Sequence, residues 1–147
     1  MSHRDTPRPH ARSRARSWAL QLLYGWELAS EGSPTEHAAR ALARRRISPR
    51  YRPYAEHLVA TVETHLDEID ADIERHAANW RIERLGAIDR NILRLGIAEL
   101  RWGGDVPPRV AIQESVRLAA RYGGQDSPGF VNGVLDAVFK GGGDVDS

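Results

Sequence analysis

Asp89 to Val138 reads DRNILRLGIAELRWGGDVPPRVAIQESVRLAARYGGQDSPGFVNGVLDAV, three apolar patterns at helical spacing separated by glycine and proline. In the first, Leu85, Ile88, Ile92 and Leu95 line one side while Leu93, Ile97 and Leu100 line another, so this helix is apolar over much of its circumference and is expected to be central. Gly103-Gly104 stops it and Pro107-Pro108 opens the next. Ser127-Pro128 then supplies a cap and a first-turn proline for a last helix, whose Val131, Val134, Leu135 and Val138 are expected to pack on the central one. Asn132-Gly133 inside that helix is a hairpin signal by turn rules. Because the apolar spacing continues beyond it, the helix is kept and a close backbone approach is expected at this glycine.

Working upstream, Ser33-Pro34-Thr35-Glu36 places an N-cap, a proline at the first helical position and a glutamate that completes a capping box. Ser48-Pro49 repeats the cap and proline. Ala15, Trp18, Ala19, Leu22, Leu23 and Trp26 follow the i, i+3, i+4, i+7 pattern of an amphipathic helix. The resulting expectation is helices over 10–30, 34–46, 49–66, 67–79, 82–102, 108–122 and 128–140, with no alternating strand character anywhere. This is an all-α, single-domain bundle of about seven helices. The N-terminal residues 1–11 are expected to form a flexible basic arm, residues 12–140 the folded domain, and residues 141–147, GGGDVDS, a disordered tail. A chain of 147 residues is long enough to bury a core without metals or disulfides. It has no cysteine, which removes thiolate zinc sites and cysteine nucleophiles. No apolar run approaches the roughly 18 residues needed to span a bilayer, and the N-terminus lacks the apolar core of a signal peptide. The expectation is a cytoplasmic protein without a membrane partner.

The formal net charge of +1 conceals two basic regions. Arg4, Arg8, Arg12, Arg14 and Arg16 stand against Asp5 alone. Arg40, Arg44, Arg45, Arg46, Arg50 and Arg52 have no carboxylate among residues 40–52. Acidic residues collect instead between Glu63 and Glu74, so attraction to polyanions is expected to be local. Arginine suits phosphate because its planar fork donates two parallel hydrogen bonds. The N-terminal run therefore reads either as an arm that orders on RNA or as a solvated basic tail. Asp126-Ser127-Pro128-Gly129-Phe130 has two readings as well. A helix N-terminus presents unpaired N–H groups to an anion or base edge, with Phe130 available for stacking; alternatively, Ser127 only caps and Phe130 only fills core. Tyr24 reads equally as a partner contact or as bundle packing.

Enzyme readings lack their required spacings. His3, His10, His37, His57, His65 and His76 contain no HExxH pair, and no nucleophile elbow or phosphate-binding glycine loop occurs. Asp70, Asp72 and Glu74 have calcium-loop spacing but lack its glycine and continue as a helix. Glu99, Glu114 and Arg117 read as surface or intrabundle pairs. No catalytic activity, metal or cofactor is expected.

DRNILRL, VAIQESVRLA and DSPGFVNGVLD, in that order, together with RSRARSWALQLLYGWEL near the start, resemble the transcription antitermination factor NusB family from about Arg12 to Val138. The resemblance implies an all-helical adaptor that binds the boxA element of nascent transcripts, notably ribosomal RNA, together with NusE, a ribosomal protein of the small subunit. It implies service to the RNA polymerase antitermination complex and no catalysis. Carried over by position, RNA contacts would be Arg12, Arg14 and Arg16, with Asp126, Ser127 and Phe130 as a second area. The NusE-facing surface would include Tyr24, Glu83 and Asp89. Ser13 interrupts what is often a continuous basic run in the family. The 40–52 cluster lies where the family is variable and is a candidate extra RNA contact. Alternatives are a generic RNA-binding module in ribosomal RNA maturation and a self-associating helical protein, since a homodimer could hide the RNA surface.

Overall fold

The computed structural model describes residues 9–77 and 81–144. These form seven α-helices and no strand: α1 (Pro9–Ala29), α2 (Pro34–Arg44), α3 (Arg52–Thr64), α4 (Leu66–His76), α5 (Ala87–Trp102), α6 (Pro108–Tyr122) and α7 (Ser127–Asp144). The all-α expectation holds. The chain divides into two compact units, residues 1–63 and 64–147, at the joint where α3 gives way to α4.

In the first unit, Pro9 opens α1 because its fixed φ already suits a helix and its missing N–H would have no partner there. The helix thus begins within the stretch expected to be an arm, and Ala11 is buried. Residues 1–8 lie outside the described residues. Ala15, Ala19, Leu22 and Leu23 are buried as their spacing predicts, while Trp18 and Trp26 are half-buried. Gly32 turns the chain with φ +73°, a left-handed conformation open to glycine, and the Trp26 indole donates to its carbonyl at 2.9 Å. Both halves of the capping box at α2 are formed. The Ser33 hydroxyl accepts from the Glu36 backbone at 3.1 Å, and the Ser33 N–H donates back to the Glu36 carboxylate at 2.9 Å. Thr35 donates both its backbone N–H and its hydroxyl to Glu63 at 2.7 Å, tying the start of α2 to α3.

Ser48-Pro49 does not open α3 directly. The Ser48 carbonyl accepts from Tyr51 and Arg52, and its hydroxyl accepts from the Arg50 N–H, so a turn precedes the helix. The helix itself starts at Arg52, with Pro53 in its first turn.

In the second unit α5 packs on α4, α6 and α7, and Asn91 to Glu99 are buried without interruption. Each fully buried Ile or Leu in this run contributes about 1.5–3 kcal/mol relative to exposure. Two expectations need correcting here. The helix predicted over 82–102 is broken: Ile82–Arg84 form a 3-10 turn, and α5 begins after Gly86. Arg90 fastens that turn by donating to the Ile82 and Leu85 carbonyls at 2.8 and 2.5 Å. The close approach expected at Gly133 is absent, since a Cβ there would meet open space. It occurs at Gly96, where a Cβ would lie 2.7 Å from both the Leu135 side chain and the Ser115 hydroxyl. That glycine lets α6 and α7 close on α5.

The helix expected to stop at residue 140 runs on to Asp144, while residues 145–147 lie outside the described residues. At Gly141 a Cβ would come within 2.9 Å of His76, so the missing side chain allows α7 to continue beside α4. Four arginines of this unit, Arg75, Arg94, Arg101 and Arg117, meet carboxylates. Arg94, 6% exposed, donates to Asp70 at 2.8 and 3.0 Å and to Asn91 at 3.0 Å. Arg101 reaches Asp72 at 2.6 Å, Arg75 reaches the same carboxylate at 3.4 Å, and Arg117 reaches Glu114 at 3.7 Å. The acidic spacing at Asp70 and Asp72 therefore serves these ion pairs.

Candidate nucleic-acid interface

The first unit sets its arginines against aromatic rings. The Arg12 guanidinium lies 4.8 Å from the centre of the Tyr54 ring and that of Arg16 5.8 Å from the same ring. Arg14 lies 6.0 Å from the centre of Tyr51. A ring attracts guanidinium by its quadrupole without occupying its N–H fork, and the exposed Arg14 over Tyr51 can still receive a phosphate. The three arginines are not equivalent. Arg14 is exposed and Arg12 half-buried, but Arg16 is only 4% exposed. Arg16, expected to contact RNA, is held against the Tyr54 ring inside the unit. Spacing explains this: Arg12 and Arg16 share the face that carries Ala15, Ala19 and Leu23, while Arg14 points away. Tyr24, further along α1, is half-buried.

Tyr51 and Tyr54 were not among the residues singled out from the sequence. The signal was present in Arg50-Tyr51-Arg52-Pro53-Tyr54, an alternation of cations and rings suited to nucleic acid.

In the second unit, Asp126 is exposed at the start of α7 and Phe130 is half-buried one turn on. Ser127 is 6% exposed, and its hydroxyl accepts from the Gly124 N–H at 2.9 Å. It braces the loop ahead of α7. Phe130 lines a cavity of about 270 Å³ with Arg84, Leu85, Gly86 and Asp89. Phe130 and Asp89, expected to serve RNA and a protein partner respectively, therefore share one recess. The Asp89 Oδ1 is shielded from solvent and accepts no hydrogen bond among the described residues. Glu83 is exposed on the adjacent 3-10 turn. Arg84, which the sequence reading passed over, brings a cation to this acidic recess.

Fold and site together define a class: an all-helical protein that presents guanidinium groups over aromatic rings, with no helix among the described residues long and apolar enough to cross a membrane. The chain belongs to the NusB family, whose model matches residues 13–140. It is 44% identical over 132 residues to the transcription antitermination protein NusB of Myxococcus xanthus, covering 87% of this chain and 94% of that one. The same-named protein of Solibacter usitatus is 44% identical over 133 residues, covering 88% and 89%. Among solved structures, NusB of Aquifex aeolicus superposes with TM-score 0.78 at 37% identity, covering 93% of each chain. A chain from a crystal structure of antitermination factors NusB and NusE in complex with double-stranded RNA superposes with TM-score 0.77 at 36% identity, covering 90% of this chain and 98% of that one.

Proposed function

We propose that this chain is a transcription antitermination adaptor that binds boxA-type single-stranded RNA in nascent ribosomal RNA transcripts together with NusE, and so serves the RNA polymerase antitermination complex. The observation that carries the reading is the support of Arg12 and Arg14 over Tyr54 and Tyr51 within the family match. Relatives carrying the antitermination name, and the solved assembly of NusB and NusE with RNA, support the choice of partners.

On this reading Arg14 and Arg12 neutralise phosphates and the half-buried Phe130 offers a ring face to an unpaired base. Arg16 holds Tyr54 in place, and Ser127 fixes the loop from which Asp126 projects. Tyr24, Glu83 and Asp89 form the NusE-facing set, the carboxylates meeting basic residues of the partner. The protein works as a scaffold for these contacts and supplies no catalytic group.

The test is fluorescence anisotropy with a labelled boxA-type RNA, a scrambled RNA and a duplex of the boxA sequence, each with and without NusE. Preference for the single-stranded boxA-type RNA, strengthened by NusE, is expected. Equal binding of all three RNAs, indifferent to NusE, would leave a generic basic helical module instead. Light scattering on the same samples checks the oligomeric state: a homodimer that hides the RNA surface must dissociate as RNA binds.

A further inference from the structure

The second basic run stands in the first unit, between the end of α2 and the start of α3. Its charges fall into two groups. Arg40 lies near the capping-box carboxylate of Glu36, helping to hold that carboxyl below its usual range after the Ser33 hydrogen bonds, and Arg52 pairs with Glu56 at 3.5 Å. Arg44, Arg45, Arg46 and Arg50 are exposed and have no ion pair among the described residues. Arg45 lies 5.8 Å from the centre of the half-buried Trp18 ring on α1.

Helix chemistry accounts for only part of this cluster. A cation in the last turn of α2 complements the helix dipole, which covers Arg44. Arg46 lies beyond the helix, and Arg50 sits in the turn that precedes α3. Neither side chain has an ion pair among the described residues. The surface is also concave: Arg44, Arg45, Arg46 and Arg52, with Ile47 and Pro49, line a recess of about 460 Å³, and Arg50 follows Pro49 in the adjoining turn. His37, in the neighbouring recess with Arg44 and Arg45, has its proton affinity lowered first by burial and then by the positive Arg40 and Arg44.

The turn carrying Arg50 also carries Tyr51, the ring beneath Arg14. On the other side, Arg45 reaches Trp18, one helical turn beyond Arg14 on α1. The two basic runs, far apart in sequence, are thus joined through Tyr51 and Trp18 on one unit.

We propose that Arg44, Arg46 and Arg50 form a second, sequence-independent RNA-backbone site that extends the Arg12 and Arg14 surface and receives nucleotides flanking the specifically recognised segment. The choice of RNA as ligand rests on the function proposed above; the site itself rests on uncompensated charge, concavity and continuity. Arg45 orients the wall against Trp18, and the three remaining guanidinium groups meet phosphates. Counterion release then makes the added affinity steeply dependent on salt.

The experiment uses the full chain with three RNAs: the boxA-type segment alone, that segment extended by flanking uridines, and a uridine oligomer of the extended length. Wild type is compared with Arg44→Ala/Arg46→Ala/Arg50→Ala and with the corresponding triple lysine variant across a salt series. The extended RNA is expected to bind wild type more tightly than the short one. The alanine variant is expected to lose that gain, with its salt slope shallower by about 2, at about 0.7 per single-strand phosphate contact. The lysine variant is expected to keep most of the slope, and the short RNA to bind all three proteins alike. Identical slopes for wild type and the alanine variant on both longer RNAs would overturn the site. If boxA preference fails while the uridine slopes still differ, the site stands and the antitermination reading falls. Each single alanine variant reports its own share should the triple variant melt early.

Discussion

The two units differ in what their most closely held arginines face. In the second, Arg94 is buried against Asp70 and Asn91 and Arg101 is drawn onto Asp72, although the exposed Arg121 lies over the Tyr122 ring. In the first, Arg12, Arg14 and Arg45 lie over Tyr54, Tyr51 and Trp18. A carboxylate cancels the charge and fixes the fork, whereas a ring positions the charge and leaves its hydrogen-bonding capacity open. What an arginine faces, together with its exposure, therefore marks residues such as Arg14 and Arg45 as open to an outside anion, whereas Arg16 faces a ring but is buried. Counting arginines along the chain makes no such distinction.

The largest effect expected from breaking this contrast is at Arg94. Arg94→Met leaves the partly buried Asp70 without its fork and is expected to cost about 3 kcal/mol, read by urea unfolding. RNA affinity of the folded fraction should not change. A loss in stability no larger than that of a surface substitution would show the pair to be incidental. Gly96→Ala sharpens the same side, since its Cβ must displace Leu135 and Ser115; a cost of about 1–3 kcal/mol in thermal or urea unfolding is expected. Gly133→Ala, pointing into open space within α7, is the matched control and should be neutral or slightly stabilising.

A smaller effect depends on pH. Burial raises the Glu63 carboxyl, but the bonds from Thr35 backbone and hydroxyl, with Ser33, outweigh it and leave its pKa below the usual value of 4.5. A depressed carboxylate contributes stability that is full above the unfolded pKa and is lost as pH falls through the folded one. The unfolding midpoint of Glu63→Gln should therefore fall less steeply than wild type as pH drops below about 4.5. Parallel curves would remove Glu63 from the account. The smallest effect on stability is expected at Arg14→Ala, within about 0.5 kcal/mol because the side chain is exposed. This variant should nonetheless weaken RNA binding and reduce the salt slope by about 0.7.

Most of the fold was legible because helix signals are local. The Ser33 to Glu36 capping box, Pro108 at the head of α6 and the apolar circumference of α5 act within a few residues, and each appears where its chemistry places it. The failures came where distant groups decide. Gly96 and Gly133 both sit within helical patterns, and only the packing of Leu135 and Ser115 shows which one admits a neighbour. The break before α5 depends on Arg90 reaching back to two carbonyls, which spacing does not reveal. Arg12, Arg14 and Arg16 form one motif in the sequence, but helical geometry turns Arg16 inward and leaves Arg14 outward. The rings beneath them come from α3 and its preceding turn, and so became visible only with the fold.

The most direct test of the contrast is to follow arginine side-chain Nε–H resonances by NMR while boxA-type RNA extended by flanking uridines is added. The account predicts shifts for Arg14, Arg44 and Arg46 while Arg94, already bound to Asp70, stays fixed. Shifts at Arg94 with none at Arg14 would contradict it.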